Sequence, residues 1–390
     1  MDAQATEVLF GFFADLPDPR RHNVRHLFGD ILAIAIPAVM CRADDGSEIV
    51  LYANSRKPWL ATFLSLPNGI PREDTFRRVF ARINPDAFEQ CFIRWTTALA
   101  GAEAPEGRLI PIDGKTMRRG FERAWNRRGL HRVSAWSEHN QIVPGQVAVA
   151  EKSNGITAGE GEASPIPKLP ALLDIRKAVV TIDAMGCQRE IAGQITSQGG
   201  DYVPAVKDNQ PKLRDKVRNL LDEAVLDGFK GMSHGYDEQS NEGHGRIENR
   251  KVWVTDEVRW PGPELLALWP GLSSVARVES TRRDPGDMTG KVSIERRYYI
   301  ASLKGTDAVK IAGAIRGHWA VENKPHWRLD MAFREDESRL RKDHSAENFS
   351  RLRRIAMNPL RKKPEEKTSL KGQRFLCSLD PDYLLKRLQQ

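Results

Sequence analysis

The sequence predicts an α/β protein: a mixed sheet flanked by helices, with a helical N-terminal domain before it and a β-rich insertion ahead of its last helical stretch. Three observations carry that reading. The apolar spacing is helical through the first hundred residues, turns strand-like from Arg108, and becomes helical again at Ala308. The elements between Arg108 and Val206 follow the order β-β-β-α-β-α-β. Three acids, Asp113, Asp183 and Glu322, each stand where an apolar segment stops.

In the first part, the apolar run Ile31 to Met40 is too short for a membrane span, contains Pro37, and is bracketed by Asp30 and Arg42, which marks it as a buried helix. The turn Pro67-Asn-Gly-Ile-Pro71 leads into a helix from about Thr75 to Ile83. Asn84-Pro85-Asp86 is a helix start, with Asn at the cap, Pro in the first turn and an acid facing the positive end of the helix dipole. Phe88, Cys91, Phe92, Trp95 and Leu99 then fall on one face, and Gly101 ends the run. Short helices joined by tight turns suit either a helix-turn-helix DNA reader or a packing domain, and the spacing leaves both open.

The strands expected next are Leu109 to Ile112, Arg132 to Trp136 and Ile142 to Ala150, followed by a helix near Pro167 to Leu173 and a strand Ala178 to Ile182. A helix Gln188 to Ser197 closed by Gly199, a strand Tyr202 to Val206 and a helix Lys212 to Leu226 complete the unit. Three antiparallel strands followed by helix-connected ones give the ribonuclease-H-like arrangement, in which the first and fourth strands are neighbours. Asp113 and Asp183 then meet at one end of the sheet. Strand-like runs at Val252, Ser274 and Arg297 place a β-rich insertion at 228–303, with Asp284-Pro-Gly-Asp287 as an exposed tip. The expected domains are 1–104 (helical), 105–227 (first part of the core), 228–303 (insertion), 304–363 (helical completion of the core) and 364–390 (tail).

The chain has 390 residues, enough for two or three domains, and carries 60 Lys and Arg against 52 Asp and Glu, a formal +8 with a pI near 9.3. That surplus favours a polyanionic partner. Basic residues cluster at Arg20, Arg21 and Arg25, from Lys115 to Arg132, and from Arg339 to Lys363, which reads as a phosphate-tracking surface beside the acids. The opening Met1-Asp-Ala-Gln4 lacks a secretory signal's basic start and apolar body, so a cytosolic location is expected. Cys41, Cys91, Cys187 and Cys377 are far apart and form no CxxC pair, which argues against a disulfide framework or a zinc knuckle.

Three converging carboxylates can hold two hard divalent ions, because magnesium keeps several waters and needs only one or two protein carboxylates. Such a pair activates an attacking oxygen and stabilises the leaving oxygen of a phosphodiester. Any one of these acids alone is better explained as a turn cap or a partner for a surface Lys. Lys115, Arg118, Arg119, Lys207, Arg246 and His318 are candidate DNA contacts. A zinc site on His318, Glu322 and His326 fails on length, since eight helical residues span about 12 Å. Asp330 is a reserve third acid, with Glu335 and Asp336 expected to face solvent or the Arg cluster, and Trp319 and Trp327 read as core.

The tracts Ile112-Asp-Gly-Lys-Thr116, Gln146-Val-Ala-Val-Ala-Glu-Lys-Ser-Asn154, Thr181-Ile-Asp-Ala-Met-Gly-Cys-Gln188, Lys207-Asp-Asn-Gln-Pro211, His244-Gly-Arg-Ile-Glu248 and His318-Trp-Ala-Val-Glu322-Asn closely resemble those of the H-repeat-associated insertion-sequence transposases, a DDE family. Leu16 to His26, Asp30 to Ala35 and Leu66 to Pro71 extend the resemblance over nearly the whole chain. It implies a ribonuclease-H-like catalytic domain that cuts DNA at the ends of its own element and joins the freed 3′ ends to a target. Asp113, Asp183 and Glu322 are then the catalytic, metal-holding acids, with magnesium, or manganese in its place, as cofactor. The partners implied are double-stranded DNA, as terminal inverted repeats and target, and a second copy of the chain on that DNA, in a bacterial cytoplasm at the nucleoid.

The chain departs from the wider Tyr-Arg-Glu-Lys signature, with Ile315, His318 and Leu329 at the other three positions. The narrower family commonly has that His. Pro325 replaces a Leu one turn past Glu322, where an interior proline costs a helix about 3 kcal/mol. Gly155 replaces an acid, and a Gly-Glu-rich loop runs from Gly159 to Ser164. The proline motivates an alternative, a catalytically inactive remnant that only binds DNA; a nuclease unrelated to transposition is a third reading.

Overall fold

In a computed structural model the described residues are 9–21, 24–101, 105–116, 131–137, 139–149, 168–243, 246–258, 268–283, 292–321, 326–361 and 368–389. The chain begins with helices α1 (Phe28–Met40), α2 (Gly46–Ser55), α3 (Lys57–Leu60), α4 (Glu73–Arg82) and α5 (Pro85–Ala100). Then come β1 (Leu109–Thr116), β2 (His131–Ser137), β3 (Ile142–Val149), α6 (Lys168–Leu172), β4 (Val179–Ile182), α7 (Arg189–Ser197), β5 (Asp201–Val206) and α8 (Pro211–Leu226). Four strands follow, β6 (His234–Gly243), β7 (Arg246–Thr255), β8 (Ser274–Arg283) and β9 (Val292–Ala301). The last stretch is α9 (Ala308–Val321), α10 (Trp327–Phe333), α11 (Ser345–Met357), α12 (Leu370–Leu379) and α13 (Pro381–Leu388). These elements fall into two compact units: a helical unit of 1–104, 114–151 and 321–390, and a sheet unit of 105–113 and 152–320.

In the helical unit α5 begins as its sequence dictates. The Asn84 side chain accepts from the Ala87 N–H at 3.0 Å, Pro85 sits in the first turn, and the chain leaves through Gly101 at φ +85°. Phe88, Cys91, Phe92, Trp95 and Leu99 are all buried. Helix α1 is buried from Asp30 to Met40, and it packs against α11. The Asn348 amide of α11 donates to the Phe80 and Ile83 carbonyls at 2.9 and 3.0 Å, which satisfies carbonyls left open where α4 ends. Strands β2 and β3 pair antiparallel, and Asn358 clamps β3 by exchanging hydrogen bonds with the Val143 backbone at 3.1 and 3.0 Å. Among the described residues no helix is long and apolar enough to cross a membrane.

The sheet unit has the strand order β1-β4-β5-β9-β8-β7-β6. Strands β1, β4 and β5 run parallel, and the rest pair antiparallel, so the sheet is mixed as expected. Alternation along β9 shows how helices cover both faces. Tyr299 packs with Ile311, Ala312 and Ile315 of α9, whereas the Tyr298 hydroxyl donates to Asp222 of α8 at 2.8 Å. Val179 and Val203 join the α9 side of the core, and Leu109 packs against it.

The structure adds helices that the sequence reading did not place, at Gly46–Ser55, Lys57–Leu60, Leu370–Leu379 and Pro381–Leu388, and it differs in two strands. β1 does not stop at Asp113 but continues to Thr116. The insertion has a strand not expected, β6, which pairs with β7 along all ten residues. The tip Asp284 to Asp287 lies outside the described residues.

Candidate active site

The first and fourth strands are neighbours, with Ile112 opposite Ile182 in parallel register. Asp113 and Asp183 each follow a member of that pair. Adjacent strands lie about 4.8 Å apart, so Asp113, within β1, and Asp183, just past the end of β4, stand as neighbours. Leu109, Pro111 and Asp113 alternate onto the face that α9 covers, in step with Val179 and Thr181.

A turn fixes Asp183. Its side chain accepts from the Met185 N–H at 2.5 Å and caps the short 3-10 helix Ala184–Gly186. Gly186 closes over β4 so tightly that a Cβ there would lie 2.0 Å from Ile182 Cγ2. From the loop after β5, Asn209 donates to the Ala184 carbonyl and Gln210 donates to the Cys187 carbonyl at 3.1 Å. Two amides one strand away thus hold the turn that presents the acid. Sequence reading noticed the tract Lys207 to Pro211 only as a likeness, and the signal available was a pair of adjacent amides at a strand end.

Helix α9 brings in a third group. Gly317 lies close against Leu109, where a Cβ would come within 2.0 Å of Leu109 Cδ2. That approach seats His318 over β4, with Nδ1 3.1 Å from the Thr181 hydroxyl. Burial pushes the imidazole pKa down, against the opposing pull of the Asp183 carboxylate, and Lys207 adds to the lowering. Burial thus disfavours the protonated form of His318 and leaves it hydrogen-bonded to Thr181.

Of the remaining sequence candidates, Glu322, Arg118 and Arg119 lie outside the described residues, as do Pro325, Gly155 and His244. Arg246 opens β7 opposite Gly243. Lys115 belongs to the helical unit, where it pairs with Asp330 and approaches Asp336 at 3.6 Å and Glu335 at 3.9 Å. Asp330 is thereby engaged by a cation, and burial raises its pKa. Among the described residues no group of three or more His, Cys, Asp or Glu is placed to hold a metal.

The basic run from Arg339 to Lys363 is not the continuous phosphate-tracking surface its composition suggested. Arg351, Arg353 and Arg354 are buried on α11. Arg354 and Arg132 donate to fully buried Glu335 at 2.9 and 3.1 Å, and Arg351 pairs with Glu89. A helix enclosed by the core can carry arginines only where carboxylates meet them. Of the two tryptophans read as core, Trp319 is half-buried under the Arg297 guanidinium at 4.6 Å, and Trp327 is exposed.

A mixed sheet whose first and fourth strands run parallel, with an aspartate after each of the register partners Ile112 and Ile182, is the arrangement that the sequence predicts for a ribonuclease-H-like core. Residues 104–358 match the family described as Transposase DDE domain, and residues 10–96 match the companion described as DDE_Tnp_1-associated. The chain is 37% identical to "Putative transposase YncI" of Escherichia coli O157:H7, covering 96% of this chain and 93% of that one. It is 36% identical to "H repeat-associated putative transposase YhhI" of Escherichia coli strain K12, covering 95% and 94%. The chain belongs to the DDE transposase family. A piggyBac transposase in a synaptic complex with hairpin DNA overlays 99% of this chain and 81% of its own at 10% identity, but its TM-score of 0.39 is too low to carry a conclusion.

Proposed function

We propose that the protein cuts DNA at the ends of an insertion element and transfers the freed 3′ ends into target DNA, with Asp113, Asp183 and Glu322 as its catalytic acids. The observation that carries this reading is the register of Ile112 with Ile182, which sets the aspartate after each of them on neighbouring parallel strands side by side. Glu322 follows the last residue of α9 in the chain.

The donor set suits magnesium or manganese, hard ions that take carboxylate oxygens and keep water in their remaining positions. Asp113, Asp183 and Glu322 would hold them. When bound, such a pair supplies activation of the attacking oxygen and charge stabilisation at the leaving one. The chain's own groups do the positioning. The capped turn fixes Asp183, while Thr181 orients His318. Lys207, exposed in the loop after β5, is a candidate to meet a phosphate, and Arg118, Arg119 and Arg246 are further candidates. Water attacks the phosphorus and the P–O3′ bond breaks with a proton returned to O3′; the resulting 3′ hydroxyl attacks a target phosphorus, the new P–O3′ bond forming as the target's own P–O3′ bond breaks and its 3′ oxygen leaves with the proton. No protein side chain is a nucleophile.

Residues 105–227 and 304–363 form the catalytic core in this reading, with 228–303 inserted, 1–104 a DNA-engaging domain and 364–390 appended. Each element end needs its own set of acids, so the working form on DNA is at least a dimer.

The test is a nicking and joining assay on the full chain with magnesium and a labelled duplex carrying the inverted repeats that flank its reading frame. Nicking at the repeat end, joined products, and loss of both on Asp113→Asn or Asp183→Asn are expected. Tight binding with no nicking by the unaltered protein would make it an inactive remnant, and cleavage without end preference or joining would make it a general nuclease.

A further inference from the structure

The helical unit contains a groove whose charge the proposed chemistry does not use. Its walls carry six arginines: Arg20, Arg21 and Arg25 from the segment before α1, and Arg72, Arg78 and Arg82 from α4 and its cap. The lining includes a single acid, Asp343.

Local sequence explains the arrangement. α4 is strongly amphipathic: Phe76, Val79 and Phe80 are buried in the core, which turns Arg78 and Arg82, four residues apart, outward together. Part of the wall is held rigid. Arg20 is gripped by both oxygens of Asp18 at 2.8 and 2.7 Å, the Asn68 amide donates to the Arg25 carbonyl, and Asp74 pairs with Arg78 at 2.6 Å. Arg21, Arg25, Arg72 and Arg82 are exposed and have no carboxylate partner among the described residues. Unpaired guanidiniums converging on one concave surface repel each other, and a polyanion removes that repulsion.

We infer that this groove holds the sugar–phosphate backbone of double-stranded DNA and contributes affinity without reading sequence. The choice of DNA as the polyanion rests on the proposed function. Arg21, Arg25, Arg72 and Arg82, exposed and without carboxylates among the described residues, are the groups of this lining that meet phosphate oxygens, and an equal loss across unrelated sequences is what separates backbone contact from base reading by the same guanidiniums or by Asn68. Phosphate contacts position a duplex, whereas base-edge contacts specify it.

The test measures binding of the full chain to a labelled 30-base-pair duplex of arbitrary sequence across a salt series, comparing the unaltered protein with Arg25→Ala/Arg72→Ala/Arg82→Ala. All three positions are exposed, and a melting curve checks that the triple variant folds. Loss of three phosphate contacts flattens the slope of log K against log salt by about 2.7. The loss should be equal for duplexes of unrelated sequence. An unchanged slope would overturn the inference, as would a loss confined to one sequence, or one seen with single-stranded RNA and not with duplex DNA. An unchanged slope in a protein that still nicks element ends would sink the groove alone, whereas a protein that binds through the groove and never nicks would sink only the transposase chemistry.

Discussion

Ile112 and Ile182 are register partners on adjacent parallel strands, and the residue after each is an aspartate. Asp183 has a second task, because its carboxylate also accepts the Met185 N–H. Asparagine keeps an acceptor oxygen and removes the charge, so Asp183→Asn and Asp183→Ala separate the two tasks. Both should lose nicking, by about 10²–10³-fold or more if the charge stabilises a transition state. Only the alanine variant should also lose stability, by about 1 kcal/mol for a missing cap. Thermal melting alongside the nicking assay reads both effects.

Asn209 acts on Asp183 through the turn. We expect Asn209→Ala to reduce nicking by about 10- to 100-fold, the range that follows from a catalytic group displaced by a fraction of an ångström to an ångström. DNA affinity should stay unchanged, since Asn209 meets the Ala184 carbonyl. A matching drop in affinity would assign Asn209 to DNA contact.

Gly186 leaves no room for a side chain. Gly186→Ala would place a methyl group 2.0 Å from Ile182 Cγ2 and 3.1 Å from its Cβ. Ile182 is itself buried, so the turn must shift, at about 1–3 kcal/mol for overpacking. The variant should melt at lower temperature and nick more slowly, because the displaced turn begins at Asp183.

Glu335 is the carboxylate on which the buried charges of the helical unit converge. Although burial opposes it, Arg132 and Arg354, followed by Lys115 and Arg353, hold its carboxyl well below the usual range. Burial in turn pushes Arg132 down to about 10. Glu335→Gln strands these cations without their counter-charge, and an unpaired buried charge costs about 3–5 kcal/mol. Urea unfolding should show a loss of that size. A near-neutral result would mean that water reaches the cluster.

His326 sets an acid-side limit on stability. Burial pushes its pKa down to about 3, reinforced by Arg354 and Lys115, against Glu335, with Arg132 adding to the lowering. The unfolded chain takes up that proton near pH 6.5, so the folded state has its full advantage above this pH and loses it as the solution is acidified toward the folded value. Between pH 6.5 and 5 the loss is about 2 kcal/mol, from 1.36 kcal/mol per pH unit. His326→Asn should flatten the fall in melting temperature over that interval.

Much of the fold is legible in the chain. The Asn84 cap, the apolar face from Phe88 to Leu99 and the short strands β1, β4 and β5 are local signals, since caps, periods and turn residues act over a few positions. Their order sets β1 beside β4, and with them Asp113 near Asp183. β6 escaped because His234 to Gly243 is polar and lacks alternation; one of its edges is satisfied by β7, a partner not encoded in the segment itself. Similarly, nothing in the run from Ser345 to Lys363 separates an arginine that meets phosphate from one that meets Glu335. The sequence by itself determined most of the element types, the basic balance and which two acids lie on or after neighbouring strands. Tertiary structure decided which charges are buried and paired, how Asn209 steadies the turn at Asp183, and that burial lowers the His318 pKa, because burial and pairing depend on residues distant in the chain meeting in space.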